Sequence, residues 1–330
     1  MKTEAIIFPE PDQITFGEVE VADPAPGDAV VRVTRTVLST GTDTRVLRGG
    51  DPQSPFPLVP GYSSVGIVEE LVGNCGGVQE GDVVFAGAPK ALVGIGRQWG
   101  AQARHCVKPA AALLPLDEGR PQEEYVFTKV AAIALHGVRR TCTGPGDRVV
   151  VIGQGLIGQL HARIQAAMGR QVAAADILPW RLERSAAGAV RHVINAEEED
   201  VEEAVRDLWP EGVQAAVEAS SRQEGIDLCA RLLHERPWDE DGPLPVLLVQ
   251  SSIHGRISVD CRELFMKEYV LLNSRDTVSR DLAGAAAMIR CGSLRVGDLI
   301  TLRARPEDAG EAIRELLENP DRHMTVVFEW

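Results

Sequence analysis

The chain has 330 residues, 44% of them hydrophobic, and 48 Asp and Glu against 34 Lys and Arg, for a formal net charge of −14. That length exceeds one ordinary core and suits two packed domains, and the apolar fraction excludes a disordered chain. The acidic balance, with no Lys/Arg block, excludes a nucleic-acid partner, and no run approaches the roughly 20 apolar residues a membrane span needs.

Met1 is not followed by a basic start and a long apolar stretch, so a cytoplasmic protein is expected. The six cysteines (Cys75, Cys106, Cys142, Cys229, Cys261 and Cys291) contain no Cys-x-x-Cys pair. They read as ordinary thiols rather than a disulfide framework or a zinc knuckle.

In chain order, residues 5–8 form a short apolar run closed by Pro9, a first strand. The first 125 residues or so are β-rich, with runs at 29–33, 65–68 and 82–85 between Gly and Pro turns. An Ala-rich helix is predicted from 126 to about 141, broken by Gly144-Pro145-Gly146-Asp147. A strand at 148–152 follows, then a helix with Ile157, Leu160, Ile164 and Ala167 or Met168 on one face and Gly169 as its stop. Further strands are predicted at 172–175, 214–217, 246–249 and 269–272, and 196–205 reads as an acidic helix face. Alternating strands and helices imply a parallel sheet with crossovers. The tail returns to helix and then to a strand at 324–328, rejoining the N-terminal part. The fold class is therefore α/β, with domains expected at 1–125, 126–274 and 275–330.

Gly153-Gln154-Gly155-Leu156-Ile157-Gly158 follows a strand and opens a helix, the context a dinucleotide-binding loop requires. Gly153 permits the tight turn, Gly155 the approach of a pyrophosphate, and Gly158 close helix packing. The helix start offers free N–H groups. Asp176 lies 23 residues after Gly153 at the end of the second strand, placed to accept from both ribose hydroxyls. A carboxylate there repels a 2′-phosphate, so NAD is expected rather than NADP. Arg181 is placed near the adenine.

Beyond these residues the chain resembles the medium-chain dehydrogenase/reductase family along nearly its whole length. The resemblance is carried by Ser39-Thr40-Gly41-Thr42-Asp43, Pro60-Gly61-Tyr62-Ser63-Ser64-Val65-Gly66, Ala134-Leu135-His136-Gly137-Val138-Arg139-Arg140, the glycine loop, and Phe265-Met266-Lys267-Glu268. It implies a GroES-like β domain plus a doubly wound parallel-sheet Rossmann domain. Zinc-dependent members keep Cys where this chain has Thr40, His-Glu where it has Tyr62-Ser63, and Cys or Glu at about Lys129. Those hydroxyls and that ammonium cannot stand in for a zinc-binding set, and the four-cysteine structural lobe is absent from 87–100. The chain is thus similar to zinc-free members, in particular to the bacteriochlorophyllide a dehydrogenases and to polyol and cyclitol dehydrogenases.

The resemblance implies an NAD-dependent secondary-alcohol dehydrogenase without zinc, working on a small-molecule alcohol or ketone as a homodimer or homotetramer. Catalytic candidates are Tyr62 and Lys129, where the ammonium would stabilise a phenolate or a developing alkoxide, and Thr42, at the family's proton-relay hydroxyl. The relay histidine of some relatives corresponds to Arg45. Asp43 and His136 are candidate substrate residues. Two alternatives stand: an enoyl or quinone reductase of the same superfamily, and a nucleotide-binding protein without turnover.

Overall fold

The computed structural model describes residues 1–51, 53–116, 122–238, 242–253 and 255–330, and the backbone alone at Ser39 and Gln122. The chain divides into two compact units, Met1–Lys129 with Ala286–Cys291 and Val296–Trp330, and Val130–Ala285 with Gly292–Arg295. These divisions fall after Lys129 and Ala285, where the sequence placed boundaries at 125 and 274.

In the first unit, β1 (Lys2–Ile7) and β2 (Thr15–Val21) form an antiparallel pair. The twelve-residue β3 (Asp28–Ser39) is followed by the short helix α1 (Thr42–Leu47), then by β4 (Ser64–Leu71), β5 (Val83–Phe85) and β6 (His105–Pro109). β3 is long enough to serve two partners on one edge. Its first half pairs with β6 from Asp28 to Arg32, while its far end, from Arg35 to Ser39, pairs with a strand from the C-terminal tail. The core under this sheet combines Ile6, Phe8, Leu38, Leu58 and Val46 with residues from the far end of the chain, among them Ile313, Leu316 and Phe328.

The second unit takes most of the helix α2 (Thr128–Arg140) and then alternates β7 (Arg148–Ile152), α3 (Leu156–Ala167), β8 (Gln171–Asp176), α4 (Pro179–Ala187), β9 (His192–Asn195), α5 (Val201–Leu208), β10 (Ala215–Glu218), α6 (Gln223–Leu232), β11 (Val246–Val249), α7 (Cys261–Lys267) and β12 (Val270–Asn273). Among the described residues these strands form a six-stranded sheet ordered β9-β8-β7-β10-β11-β12, every neighbour parallel. Val150 and Ile152 face one apolar cluster while Val149 and Val151 face the other, so the two-residue strand period feeds a core on each side of the sheet. The chain continues through α8 (Ser279–Arg290) to β13 (Leu302–Ala304), α9 (Ala309–Glu318) and β14 (Thr325–Glu329), the strand that pairs with β3 in the first unit.

Four features depart from the sequence reading. β9 was not expected, because His192-Val193-Ile194-Asn195 buries only Ile194 deeply and lacks an apolar run. The acidic stretch 196–205 becomes helix only from Val201, where the Asp200 carboxylate caps the Glu203 N–H. α3 has no single apolar face: Ala167 is exposed, whereas Gln159, His161, Arg163 and Gln165 are all buried with Leu160 and Ile164. Burial, then the Arg170 charge, push His161 down to about 3, so its imidazole is neutral at physiological pH. Arg163 is accommodated by the carbonyls of Arg184 and Arg295 and by Gln159 Oε1. Finally, the last strand begins at Val270 rather than at Tyr269.

Candidate functional site

The strand order reverses between β7 and β10, and in open α/β sheets ligands bind at the carboxyl ends of the strands beside such a reversal. The glycine loop lies at that place. Gly153 leaves β7 at φ +91°, and a Cβ there would stand 2.7 Å from the Ser220 amide nitrogen just after β10. A Cβ on Gly158 would stand 1.9 Å from the Gly153 carbonyl oxygen, so only a bare Cα lets α3 start this close to the loop. At Gly155 the reverse holds: a Cβ would meet nothing within 4 Å. The loop is crowded from behind and open in front, beside the unsatisfied first N–H groups of a twelve-residue helix.

The Asp176 carboxylate closes this arrangement. It ends β8, is buried, and accepts from the Gln154 N–H at 2.5 Å and the Leu178 N–H at 2.9 Å. A carboxylate has about four acceptor positions, so capacity remains for a sugar diol. Arg181 Nη1 stands 3.8 Å from Asp176 Oδ2, and burial, opposed by that carboxylate, lowers the guanidinium below its ordinary value. The loop side chains point away from the open front. Gln154 is buried, donating to the Val151 and Gly153 carbonyls and accepting from Ser185 Oγ, while Leu156 is buried and Ile157 half-buried. Gln154 therefore presents its backbone, not its side chain, on the loop.

One neighbour of the loop was not legible from motif spacing. Glu218, fully buried at the end of β10, accepts from the Ser220 N–H at 2.6 Å, from Ser220 Oγ at 2.7 Å and from Ser251 Oγ. It braces the segment against which Gly153 packs. A carboxylate ending the strand beside the loop is the only sequence signal that could have found it.

The remaining candidates fall in two other places. Tyr62 and Ser63 lead into β4; the half-buried Tyr62 ring meets Trp99 edge-on at 5.2 Å, and Ser63 Oγ donates to the Val126 carbonyl. Val126 leads into α2, whose second residue is Lys129. The Ser63 bond thus draws the Tyr62 and Lys129 segments together. Thr42 and Asp43 open α1, Thr42 half-buried and Asp43 buried, with Thr44 Oγ1 tying the helix back to the Thr40 carbonyl. His136 lies in the second unit, its Nδ1 2.8 Å from Asp281 Oδ2. Burial disfavours the charged Asp281 carboxylate, but hydrogen bonds from His136, the Val278 N–H and Arg139 outweigh it and hold the group below its ordinary value. His136 is in this way part of a tie between α2 and α8.

Among the described residues, no group of three or more His, Cys, Asp or Glu is placed to hold a metal ion, and no helix is long and apolar enough to cross a membrane.

Residues 25–118 match the alcohol dehydrogenase GroES-like domain. The chain is 29% identical to the 2-desacetyl-2-hydroxyethyl bacteriochlorophyllide A dehydrogenase of Rhodobacter capsulatus, over 100% of this chain and 99% of that one. It is 24% identical to the L-galactonate-5-dehydrogenase of Escherichia coli, over 90% of each. A short chain alcohol dehydrogenase of E. coli CFT073, solved with cofactor NADH, shares its fold at a TM-score of 0.84 and 18% identity, covering 100% of this chain and 99% of that one.

Proposed function

We propose that this chain, an oxidoreductase of the zinc-type alcohol dehydrogenase family with a GroES-like and a Rossmann-like domain, moves a hydride between NAD and a secondary alcohol without using a metal. The substrate class is a polyol, cyclitol or tetrapyrrole-type hydroxyl. The observation that carries this reading is the Asp176 carboxylate seated on the Gln154 N–H beside the open face of Gly155. The loop would hold a pyrophosphate through backbone amides, and Asp176 a ribose whose 2′-hydroxyl is free. When bound, NAD supplies the hydride acceptor.

The residues at the family's zinc positions do not fit zinc. Thr40 and Tyr62 offer neutral hydroxyls, Ser63 gives its hydroxyl to Val126, and Lys129 contributes a positive charge. Metal-independent chemistry falls instead to Tyr62 as proton acceptor and donor, Lys129 as the charge that favours phenolate and alkoxide, and Thr42 as the hydroxyl passing the proton on. Asp43 and His136 are kept as substrate-side candidates. Relatives named for a hydroxyethyl tetrapyrrole and for a sugar acid support hydroxyl oxidation.

One observation favours a second reading. Arg181 beside Asp176 is a cation that a 2′-phosphate could use, as an NADPH-dependent enoyl or quinone reductase would require. We further assign the protein to the cytoplasm as a homodimer or homotetramer joined at the exposed sheet edge of β12. The exposed Trp238–Phe265 ring pair, 6.2 Å apart, supports association.

Fluorescence titration with NADH and NADPH, elemental analysis, and a panel of secondary alcohols test the main reading. NADH should bind at least tenfold more tightly than NADPH, zinc should be substoichiometric, and alcohol oxidation should survive a chelator. Preference for NADPH, or stoichiometric zinc required for turnover, overturns it.

A further inference from the structure

Two buried carboxylates flank β7 at the ends of its neighbours, Asp176 on β8 and Glu218 on β10. Register keeps both beside the glycine loop, since Ile152 stands opposite Ala175 on one side and Glu218 on the other. Asp176 takes two backbone N–H groups. Glu218 binds differently: its Oε1 accepts from the Ser220 N–H and hydroxyl, and its Oε2 from the Ser251 hydroxyl just past β11. The Glu218 carbonyl also accepts from the Gln250 and Ser251 N–H groups, at 2.9 and 3.2 Å. Gly225 on α6 leaves room for this cluster, because a Cβ there would stand 2.7 Å from Ser220 Oγ and 3.2 Å from Glu218 Oε1.

Glu218 is fully buried and beyond a ligand's reach, whereas Ser220 and Ser251 are half-buried. A carboxylate only accepts, so each serine spends its single proton on Glu218. Each hydroxyl oxygen then has lone pairs but no proton to offer, and can only accept from a group that approaches it. A serine free to rotate would serve either role. The carboxylate thus fixes both hydroxyls as acceptors along the ends of β10 and β11. A dinucleotide lies across the carboxyl ends of such a sheet, one nucleoside on each side of the loop. With the adenosine ribose assigned to Asp176 on the β8 side, the β10–β11 side receives the nicotinamide nucleoside. That half carries donors, the ribose hydroxyls and the carboxamide NH2.

We propose that Glu218 is a positioning residue: by holding Ser220 and Ser251 as hydrogen-bond acceptors, it selects donors on the nicotinamide nucleoside half of the cofactor. The inference rests on the dinucleotide reading of the loop and Asp176, and it is independent of the chemistry at Tyr62.

Calorimetry with ADP, ADP-ribose and NADH separates the halves, because ADP lacks the second nucleoside and ADP-ribose lacks only the nicotinamide. Glu218→Gln keeps the shape but sets an NH2 donor against one serine, turning that hydroxyl around. It should weaken NADH about tenfold and leave ADP within about twofold of wild type. Ser220→Ala and Ser251→Ala should each weaken NADH severalfold with ADP unchanged, and these two decide the matter if Glu218→Gln does not fold. In a protein already carrying both alanines, Glu218→Gln should not change the NADH-over-ADP ratio further. Upheld either way, the proposal assigns the ribose hydroxyls if ADP-ribose weakens with NADH, and the carboxamide if it does not. Equal loss of ADP and NADH would make Glu218 only a brace for Gly153 and overturn the proposal, as would an NADH-over-ADP ratio that no variant changes. A wild type that binds ADP, with NADH no tighter, overturns it and leaves the loop reading standing; a wild type that binds neither overturns both.

Discussion

The glycine loop of the second unit and the lysine-bearing corner of the first are built on opposite principles. The loop works through backbone: two positions where a Cβ would collide, one where it would meet open space, and a carboxylate gripping an amide. Such a site is specified by where glycine stands, and the spacing within six residues contains most of it. The corner proposed at Tyr62 and Lys129 would work through side chains, from the segment leading into β4 and from α2, drawn together by the Ser63–Val126 bond. A backbone site tolerates little change in residue size. A side-chain site can exchange its chemistry while the scaffold stays, and here the residues at the metal positions are hydroxyls and an ammonium.

The comparison is broken most severely at Tyr62. Tyr62→Phe should lower kcat on secondary alcohols by about a hundredfold or more, in the range of general acid–base contributions, with NADH affinity unchanged. Near-normal turnover would remove chemical work from that corner. Next comes a matched pair in the loop. Gly158→Ala forces a Cβ against the Gly153 carbonyl and should destabilise the fold by about 3 kcal/mol. Gly155 has φ −65° and no atom near its missing Cβ, so Gly155→Ala should stay within about 0.5 kcal/mol of wild type in chemical unfolding. It should nevertheless weaken NADH by about tenfold, or about 1.4 kcal/mol. If both variants behave alike, the front and back of the loop are not distinct.

Two smaller effects sharpen the contrast. Asp281 is held below its ordinary value, so its contribution is present above the unfolded carboxylate range near ~3.9 and is lost as pH falls through the folded value. Asp281→Asn should cost about 2 kcal/mol at pH 7, and urea midpoints should show that gap narrowing toward pH 3. A gap independent of pH would mean the His136–Asp281–Arg139 tie is not electrostatic. Last, Asp176→Asn should reduce the NADH-over-NADPH preference by about tenfold, read by fluorescence titration. An unchanged ratio would leave cofactor choice to some other residue.

The strands at 148–152 and 246–249 could be bounded to the residue from sequence, because buried parallel strands are continuous apolar runs. The place of the glycine loop between a strand and a helix, Asp176 at the end of the next strand, and the α/β alternation were legible from pattern and spacing in the same way. β9 escaped because an edge strand needs only one deeply buried residue, and the polar burial of α3 escaped because its partners, Arg184 and Arg295, arrive from distant segments. Local periodicity and glycine placement act over a few residues and survive in one dimension. That the Ser63 hydroxyl meets the Val126 carbonyl 63 residues on, and that the Arg163 guanidinium meets the Arg295 carbonyl, depends on distant segments meeting in space, and only the tertiary structure decides that.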